Sequence, residues 1–434
     1  MTKLKAGVGV RVITPPVGVP LGGYAARVEP ARGVHDDLHA RALVLEADGE
    51  RAALVSLELL YATRDLVEEV RKVCEEEAGI PPDSVMVTAV HTHSGPSLVG
   101  FHSTPRHRYL EEYLHLLPGL VASAVIEASR KLVEVNVRYG RGRVDGWLVN
   151  RRKPGEGPID PEVSALCLEH EGDALCTIVN FACHAVVLGH NNLLISADYP
   201  GYVSKTVEHV LGGSCLFLNG ACGDVNPLTP GTSLERVYDR SIGTFRHAEE
   251  MGTAVACEAV KALLGSRPSS ARGVWAARRS LELRVRELPR VSSEELETTR
   301  RAFEDALARG DWGEASKLRF KLAMMELVKR VGERCPGGVL RTEVQALRVG
   351  DVVIVGLPGE PFVEVGLRIK SSSRASLTMV AGYANDAIGY LPTDEAFEEG
   401  GYEVSLPVCI VERGAADKLV NEAVKLVEEL LAKG

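Results

Sequence analysis

The stretch "ATRDLVEEVRKVCEEEAGIPPDSVMVTAVHTHSGPS", residues 62–97, changes period half-way along, and that change decides the fold class. Residues 62–78 place Leu66, Val67, Val70 and Val73 on one helical face, whereas 85–90 is a continuous apolar run of the length of a buried strand. "PPDS" between them breaks the first element and releases the second. A helix that delivers a buried strand ending in polar residues is the unit of an α/β sheet, in which loops at strand ends carry the chemistry.

The same grammar extends to both sides. Residues 8–14, 40–47 and 52–59 read as strands before the quoted stretch. After it come a helix at 108–131, a strand within 133–144, strands near 163–169 and 174–182, a helix at 199–211 and the strand "CLFLNG". A helix around 244–264, strands within 341–357 and a closing helix at 415–432 complete the pattern. Residues 292–334 are highly charged and helical with a break at "ARGDW", which reads as an inserted helical hairpin, either a solvated structural insert or a lid or oligomer arm. The expectation is one mixed, multi-layer α/β catalytic domain over residues 1–434, carrying a helical hairpin at 292–334, with no internal repeat.

Composition narrows the function classes. A chain of 434 residues with 45% hydrophobic and 25% charged residues is that of a soluble globular protein, which excludes collagen, coiled coil and wholesale disorder. A net charge of -9 with no basic block counts against nucleic acid and anionic membrane as partners. No run of apolar residues reaches a membrane-spanning length, so no stable membrane insertion is expected. The start of the chain has no apolar core of a leader, which points to the cytoplasm. The nine cysteines are odd in number and include no CxxC pair, so neither a disulfide scaffold nor a thiolate zinc site is indicated. One glutamine, Gln345, among many Glu, Arg and Val is a mild sign of a thermophile. A small-molecule partner is expected, and a homo-oligomer stays open.

Candidate chemistry lies at the strand ends. His91 and His93 follow an apolar run at i, i+2, which turns both to one side of an extended backbone, toward one ion or substrate or as two structural histidines. "TIVNFACHAVVLGHNN" brings a second apolar run to His184. "CLFLNGACGDVNP" sets Asn219, Cys222, Asp224 and Asn226 in a turn of small residues, either a close backbone approach to substrate or a tight corner. "VVIVGLPGEPFVEVG" ends a third apolar run at Glu360, a charge that needs a partner there. Two histidines and a carboxylate from separate strand ends are the usual protein share of an open catalytic zinc site. A metal-free alternative uses Cys222 as nucleophile.

Taken in order with "GVGVRVITPPVGVPLGGYA", "GVHDDLHARALVLEADG" and "AIGYLPTDEAFEEGGYE", these segments resemble the neutral/alkaline non-lysosomal ceramidase family, over roughly residues 6–265 and 340–410. The resemblance implies the α/β fold of that family's N-terminal domain and a hydrolase that cleaves the amide of an N-acyl compound at one Zn²⁺ per chain. It implies His91, His184, Glu360 and Tyr390 as metal ligands, and His93, Arg151 and Tyr402 as groups at the scissile amide and its oxyanion. Asn226 stands where the family's ceramidases carry a serine with a nucleophilic or substrate-contacting role, which leaves attack by water as the mechanism. Asn219, Cys222 and Asp224 are the candidates for substrate contact. Ceramidases add a C-terminal β-sandwich and are secreted or membrane-associated; this chain shows neither sandwich nor signal, so a small soluble N-acyl substrate is expected rather than ceramide. The alternatives are a metal-dependent esterase or lactonase and a catalytically inactive ligand-binding homologue.

Overall fold

A computed structural model describes residues 3–98, 108–266, 268, 269 and 273–433. The chain builds one arrangement of elements three times. In the first unit, strands Lys5–Val12, His39–Ala47 and Glu50–Leu57 pair antiparallel in that order. Helix α1 (Arg64–Ala78) then returns the chain to Val85–Ala89, parallel to Glu50–Leu57, and α2 (Arg108–Arg130) follows. The second unit repeats this with Asn136–Arg143, Glu162–His170, Asp173–Phe181, α3 (Tyr199–Leu211), the parallel strand Ser214–Asn219 and α4 (Phe245–Leu264). The third has Val274–Arg284, α5 (Ser293–Ala308), α6 (Trp312–Arg334), Val339–Val349, Val352–Gly356, α7 (Val363–Ser372) and the parallel strand Leu377–Ala381. It closes with α8 (Asp394–Glu399) and α9 (Ala415–Leu431).

The topological repeat corrects the expectation of none. Its three copies share an order of elements but not the residues that fill them. The segment 292–334 is the helix pair α5 and α6, and it falls between the first and second strands of the third unit, where the other two units have no helix.

Strand alternation explains the layering. In Val352–Gly356 the side chains of Val353 and Val355 join the core under α7 and α9, while Val352 and Ile354 join a central core. That central core also takes Leu43, Leu54 and Met86 from the first sheet and Leu166, Ile178 and Leu218 from the second. The three sheets therefore meet face to face inside, with helices outside, because side chains two apart share a face. Glycines permit the closest approaches. A Cβ on Gly7 or Gly9 would stand 2.1 Å from Ala128 O or 2.0 Å from Ala124 O of α2, and one on Gly140 would stand 2.5 Å from Ala262 O of α4.

Most sequence-derived boundaries fall within a few residues of the observed ones; the first strand is Lys5–Val12 rather than 8–14. Four of these elements escaped the reading, among them the six-residue α8. Val274–Arg284 carries three arginines, none of them buried, and α7 is only ten residues long, too short for a clear periodicity. Leu377–Ala381 is a five-residue strand, fully buried.

Candidate metal centre

In each unit the third strand leads to a helix and the chain returns parallel to it, so carboxyl ends of parallel strands come together at one place. The loops after the three third strands supply Tyr61, His184 and Glu360. The loops after the three returning strands supply His91 and His93, Cys222, and Tyr383 and Tyr390.

His91, His93 and His184 bring their ring nitrogens within 4.8 Å of one another. Glu360 Oε2 lies 3.4 Å from His91 Nε2 and 3.3 Å from His184 Nε2. All four side chains are buried. Backbone carbonyls fix two of the rings: His91 Nδ1 donates to Leu60 O at 2.9 Å, and His184 Nδ1 donates to Cys222 O at 2.6 Å. Both Nε2 atoms therefore carry lone pairs toward the centre, the arrangement that orients metal-ligating histidines. His184 Nε2 and Glu360 Oε2 are buried with no hydrogen-bond partner. His93 differs: its Nε2 lies 3.1 Å from His91 Nε2, and its Nδ1 is buried without a partner, against Gly23.

Burial lowers the His184 imidazole to about 4, with the nearby Arg151 charge adding to the effect, so this ring is neutral at pH 7. His93 is held well below the usual histidine value by burial and by its two neighbouring imidazoles. Burial alone would raise the Glu360 carboxyl; only positive charge at its contacts with His91 and His184 outweighs burial and draws the group well below the usual carboxylate value.

Tyr390 enters through the backbone. Glu360–Pro361 and Tyr390–Leu391 form a two-stranded parallel ladder in which Glu360 pairs with Tyr390. Arg151 Nη2 donates to Tyr390 Oη at 2.9 Å and to Gly223 O at 2.7 Å. Its Nε donates to Glu403 at 2.7 Å, and its Nη1 to Asn226 Oδ1 at 3.2 Å. Burial would weaken this cation, but Tyr390 and Glu403 outweigh it and keep the guanidinium charged. Tyr402 packs edge-on to Tyr390, at 5.9 Å between ring centroids, and is 45% exposed, which makes it accessible to a ligand.

The turn residues face inward. Asn226 spends its oxygen on Arg151 and its Nδ2 on Val237 O. Asp224 accepts from Val363 N, at the start of α7, and from Asn150 Nδ2, so its carboxylate ties three segments together. Asn219 accepts from Cys183 N and donates to Val90 O. The Cys222 thiol is fully buried, bonded to Asn219 and Tyr383, and pushed far up by burial, which removes the basis for a thiolate nucleophile.

Sequence reasoning missed Tyr61, Tyr383 and Glu403. Tyr61 Oη donates to Glu360 Oε1 at 2.8 Å. Tyr383 stacks on His91 at 4.0 Å, and both residues hold positive φ, 55° and 65°, the kind of strain that gathers at functional sites. Glu403 binds Arg151, Arg152 and Tyr238. The one available signal was positional, since Tyr61 follows an apolar strand just as His184 and Glu360 do.

A cleft of about 1640 Å³ opens over the centre. His93, Glu360, Tyr61, Tyr390 and Tyr402 line its floor, and Leu327, Arg330 and Val331 of α6 line one wall.

Comparison with known proteins places this geometry. The sequence profile described as "Neutral/alkaline non-lysosomal ceramidase, N-terminal" matches residues 4–249. The chain belongs to the neutral/alkaline non-lysosomal ceramidase family. Among curated relatives, the neutral ceramidase of Mycobacterium tuberculosis is 25% identical over 88% of this chain and 70% of its own length. That of Pseudomonas aeruginosa is 26% identical over 89% of this chain and 66% of its own length. The solved structure of the Pseudomonas aeruginosa enzyme superposes with a TM-score of 0.75 at 20% identity, covering 100% of this chain and 75% of that one. This ceramidase-family chain shares the mixed α/β fold of the Pseudomonas aeruginosa enzyme. Among the described residues no helix is long and apolar enough to cross a membrane.

Proposed function

We propose that the chain hydrolyses the amide bond of a small N-acyl compound, using one zinc ion held by His91, His184, Glu360 and Tyr390. The observation that carries the metal is a set of acceptors facing one another. His184 Nε2 and Glu360 Oε2 are buried without hydrogen-bond partners, and they lie 3.3 Å apart. Lone pairs so placed repel unless a cation stands among them, and two neutral imidazoles with one carboxylate suit zinc. His91 and His184, each with Nδ1 anchored to a carbonyl, fit as ligands better than His93, whose Nδ1 is anchored to nothing. Family membership supports the amide as the bond.

Bound there, zinc would supply a nucleophilic water at neutral pH and polarise the acyl carbonyl. The remaining work belongs to the chain's own groups. His93, neutral and at the cleft floor, can donate to the carbonyl oxygen as charge develops; the proton that the leaving amine takes up is the one the attacking water gives up, relayed by Glu360, His93 or water. Arg151 holds Tyr390 by its oxygen and keeps positive charge beside the reacting carbonyl. Tyr402 presents a hydroxyl to the oxyanion from the accessible side. Asn226 acts through Arg151, which it holds from below, and gives no acyl-enzyme.

The test is metal content by elemental analysis of protein purified without added metal, beside Glu360→Ala, with hydrolysis of N-acyl substrates before and after chelation. The expected result is about one zinc per chain, absent in the variant, and activity lost on chelation and restored by zinc. Activity that survives complete chelation would overturn the reading. Matched amide and ester substrates decide the bond.

A further inference from the structure

Three tyrosines lie on the cleft floor, and two of them have their hydroxyls held. Tyr61 donates to Glu360 at 2.8 Å, and Tyr390 accepts from Arg151 at 2.9 Å. Among the described residues the Tyr402 hydroxyl has no hydrogen-bond partner. Its place over the centre is therefore set by the backbone of the single turn Tyr402–Val404 and by the edge of the Tyr390 ring. Two glycines with positive φ, Gly400 at 72° and Gly401 at 102°, lead into that turn, and a backbone of this kind has wide freedom unless something grips it.

Arg152 is the grip. Its Nη2 donates to Gly400 O at 2.7 Å and to Ala396 O at 3.2 Å, and its Nη1 donates to Glu403 Oε2 at 3.1 Å, so it bonds the chain on both sides of Tyr402. Gly401 lies against the same guanidinium, where a Cβ would stand 2.8 Å from Nη1. Glu403 carries the connection inward. It is 0% exposed, and its Oε1 accepts from Arg151 Nε at 2.7 Å and from Tyr238 Oη at 2.9 Å. Arg151 completes it. Its Nε is spent on Glu403, its Nη2 on Gly223 O and Tyr390 Oη, and one hydrogen of Nη1 on Asn226, so it has no parallel pair of donors left for a substrate and serves as a link. The contacts close on themselves: Arg152, Glu403, Arg151 and Tyr390 are joined in order by hydrogen bonds, and the Tyr402 ring returns to Tyr390 at 5.9 Å between centroids. A closed loop of short contacts fixes the distance from Tyr402 to the centre.

We propose that Arg152 and Glu403 form a clamp that positions Tyr402, and that they act on the reaction through the place they give its hydroxyl over the scissile carbonyl. The inference rests on the N-acyl hydrolase reading above and deepens it. The hydroxyl is needed as negative charge develops on the carbonyl oxygen, so the clamp weighs on kcat and not on KM. Arg152→Met is the sharper probe, because it leaves Arg151, Tyr238 and Asn226 with their partners. Glu403→Gln offers one acceptor oxygen where the carboxylate offers two, so one of the two arginines loses its bond.

The experiment measures kcat and KM of zinc-loaded wild type, Arg152→Met, Tyr402→Phe and the double variant on the N-octanoyl amides of glycine, ethanolamine and aniline. Hydrogen exchange over residues 400–405 is followed on the same proteins. Arg152→Met should lower kcat roughly 10- to 100-fold, the cost of a displaced catalytic group, with KM within about threefold. It should also speed exchange at Gly400 and Ser405, whose amides bond to Ala396 O and Tyr402 O. In the Tyr402→Phe background the same substitution should change kcat by less than about threefold, since the group it positions is gone. A fall by the same factor in both backgrounds, a change confined to KM, or unchanged kcat and exchange would overturn the clamp and leave the hydrolase reading intact. If the zinc-loaded wild type turns over none of the amides, the hydrolase reading falls and exchange decides alone: faster exchange in Arg152→Met supports the clamp, and unchanged exchange overturns it. Should Arg152→Met not fold, Arg152→Lys, which keeps the charge but not the fork that reaches the carbonyls and Glu403 together, carries the comparison.

Discussion

Tyr61 donates to one oxygen of Glu360, so the other oxygen is left to face His91 and His184. A hydroxyl that orients a ligating carboxylate is typically worth 10- to 100-fold in metal affinity. Tyr61→Phe should therefore fold normally and bind zinc roughly 10- to 100-fold more weakly, read by competition with a chromophoric chelator. A second carboxylate serves stability instead. Glu58 is 3% exposed and accepts from His39 N at 2.7 Å and from the Arg41 guanidinium. Burial would raise its carboxyl, but Arg41 and His39 outweigh burial and depress it. A depressed carboxyl contributes stability that is fully present above the unfolded value of about 4.3 and is lost as pH falls through the folded value. Glu58→Gln should thus lose about 3 kcal/mol or more at pH 7 by urea unfolding, with the gap to wild type closing below about pH 4. A gap that stays constant with pH would show that packing, not charge, is what Glu58 contributes. Legibility follows from the same contacts. His91, His184 and Glu360 each end an apolar run, and a polar residue in that position announces itself. Tyr61 ends such a run too, but a tyrosine there passes for one more core residue, and Glu403 ends none; their partners Glu360 and Arg151 are 299 and 252 residues away in the chain.

Strand–helix contact is where glycine does structural work here. Gly9 lies so close to α2 that a Cβ would sit 2.0 Å from Ala124 O, a backbone atom that cannot step aside. Gly119, inside α2 itself, has open space around the same position and no positive φ. Gly9→Ala should lose roughly 1–3 kcal/mol or fail to fold, whereas Gly119→Ala should gain about 1 kcal/mol, the ordinary difference between the two residues in a helix interior. Both are read by chemical denaturation, and equal signs would contradict the packing argument. Helices α1, α3, α4 and α9 were legible because each buries one stripe, and the strands before α1, α3 and α4 because they are near-continuous apolar runs. Val274–Arg284 was not legible: its half-buried Arg278 and Arg279 and exposed Ser280, Glu282 and Arg284 read as a charged loop until Val339–Val349 pairs with it residue by residue. The threefold repeat stayed hidden for a related reason. Burial asks only for apolar residues at alternate positions, and many sequences satisfy that without resembling one another.

At the scale of the molecule, the third unit differs from its fellows by α5 and α6, and these helices shape the cleft rather than the centre. The ligand candidates His91, His184, Glu360 and Tyr390 all come from loops after strands of the three sheets or from the short ladder beside them. The hairpin supplies Leu296, Arg300, Leu327 and Arg330 to the cleft lining. It has a small core of its own, Phe303, Ala306, Ala315 and Leu322, and touches the main core through Val331 and Cys335. The strands it interrupts are already in register at the point of entry, where Arg284 pairs with Val339 and Val285 N donates to Gly338 O at 2.9 Å. A two-residue turn spans such a pair. Replacing residues 286–337 with Asn-Gly should therefore leave a cooperatively folding protein with its zinc content unchanged. Its melting temperature should fall, because Val331 and Cys335 leave the main core. Activity should fall through KM, since one wall of the cleft is gone, with kcat on a short acyl substrate largely kept. Loss of zinc together with the hairpin would mean that α5 and α6 hold the strand-end loops in place. A fall in kcat with KM unchanged would mean that the hairpin acts on the reacting groups and not on the bound substrate.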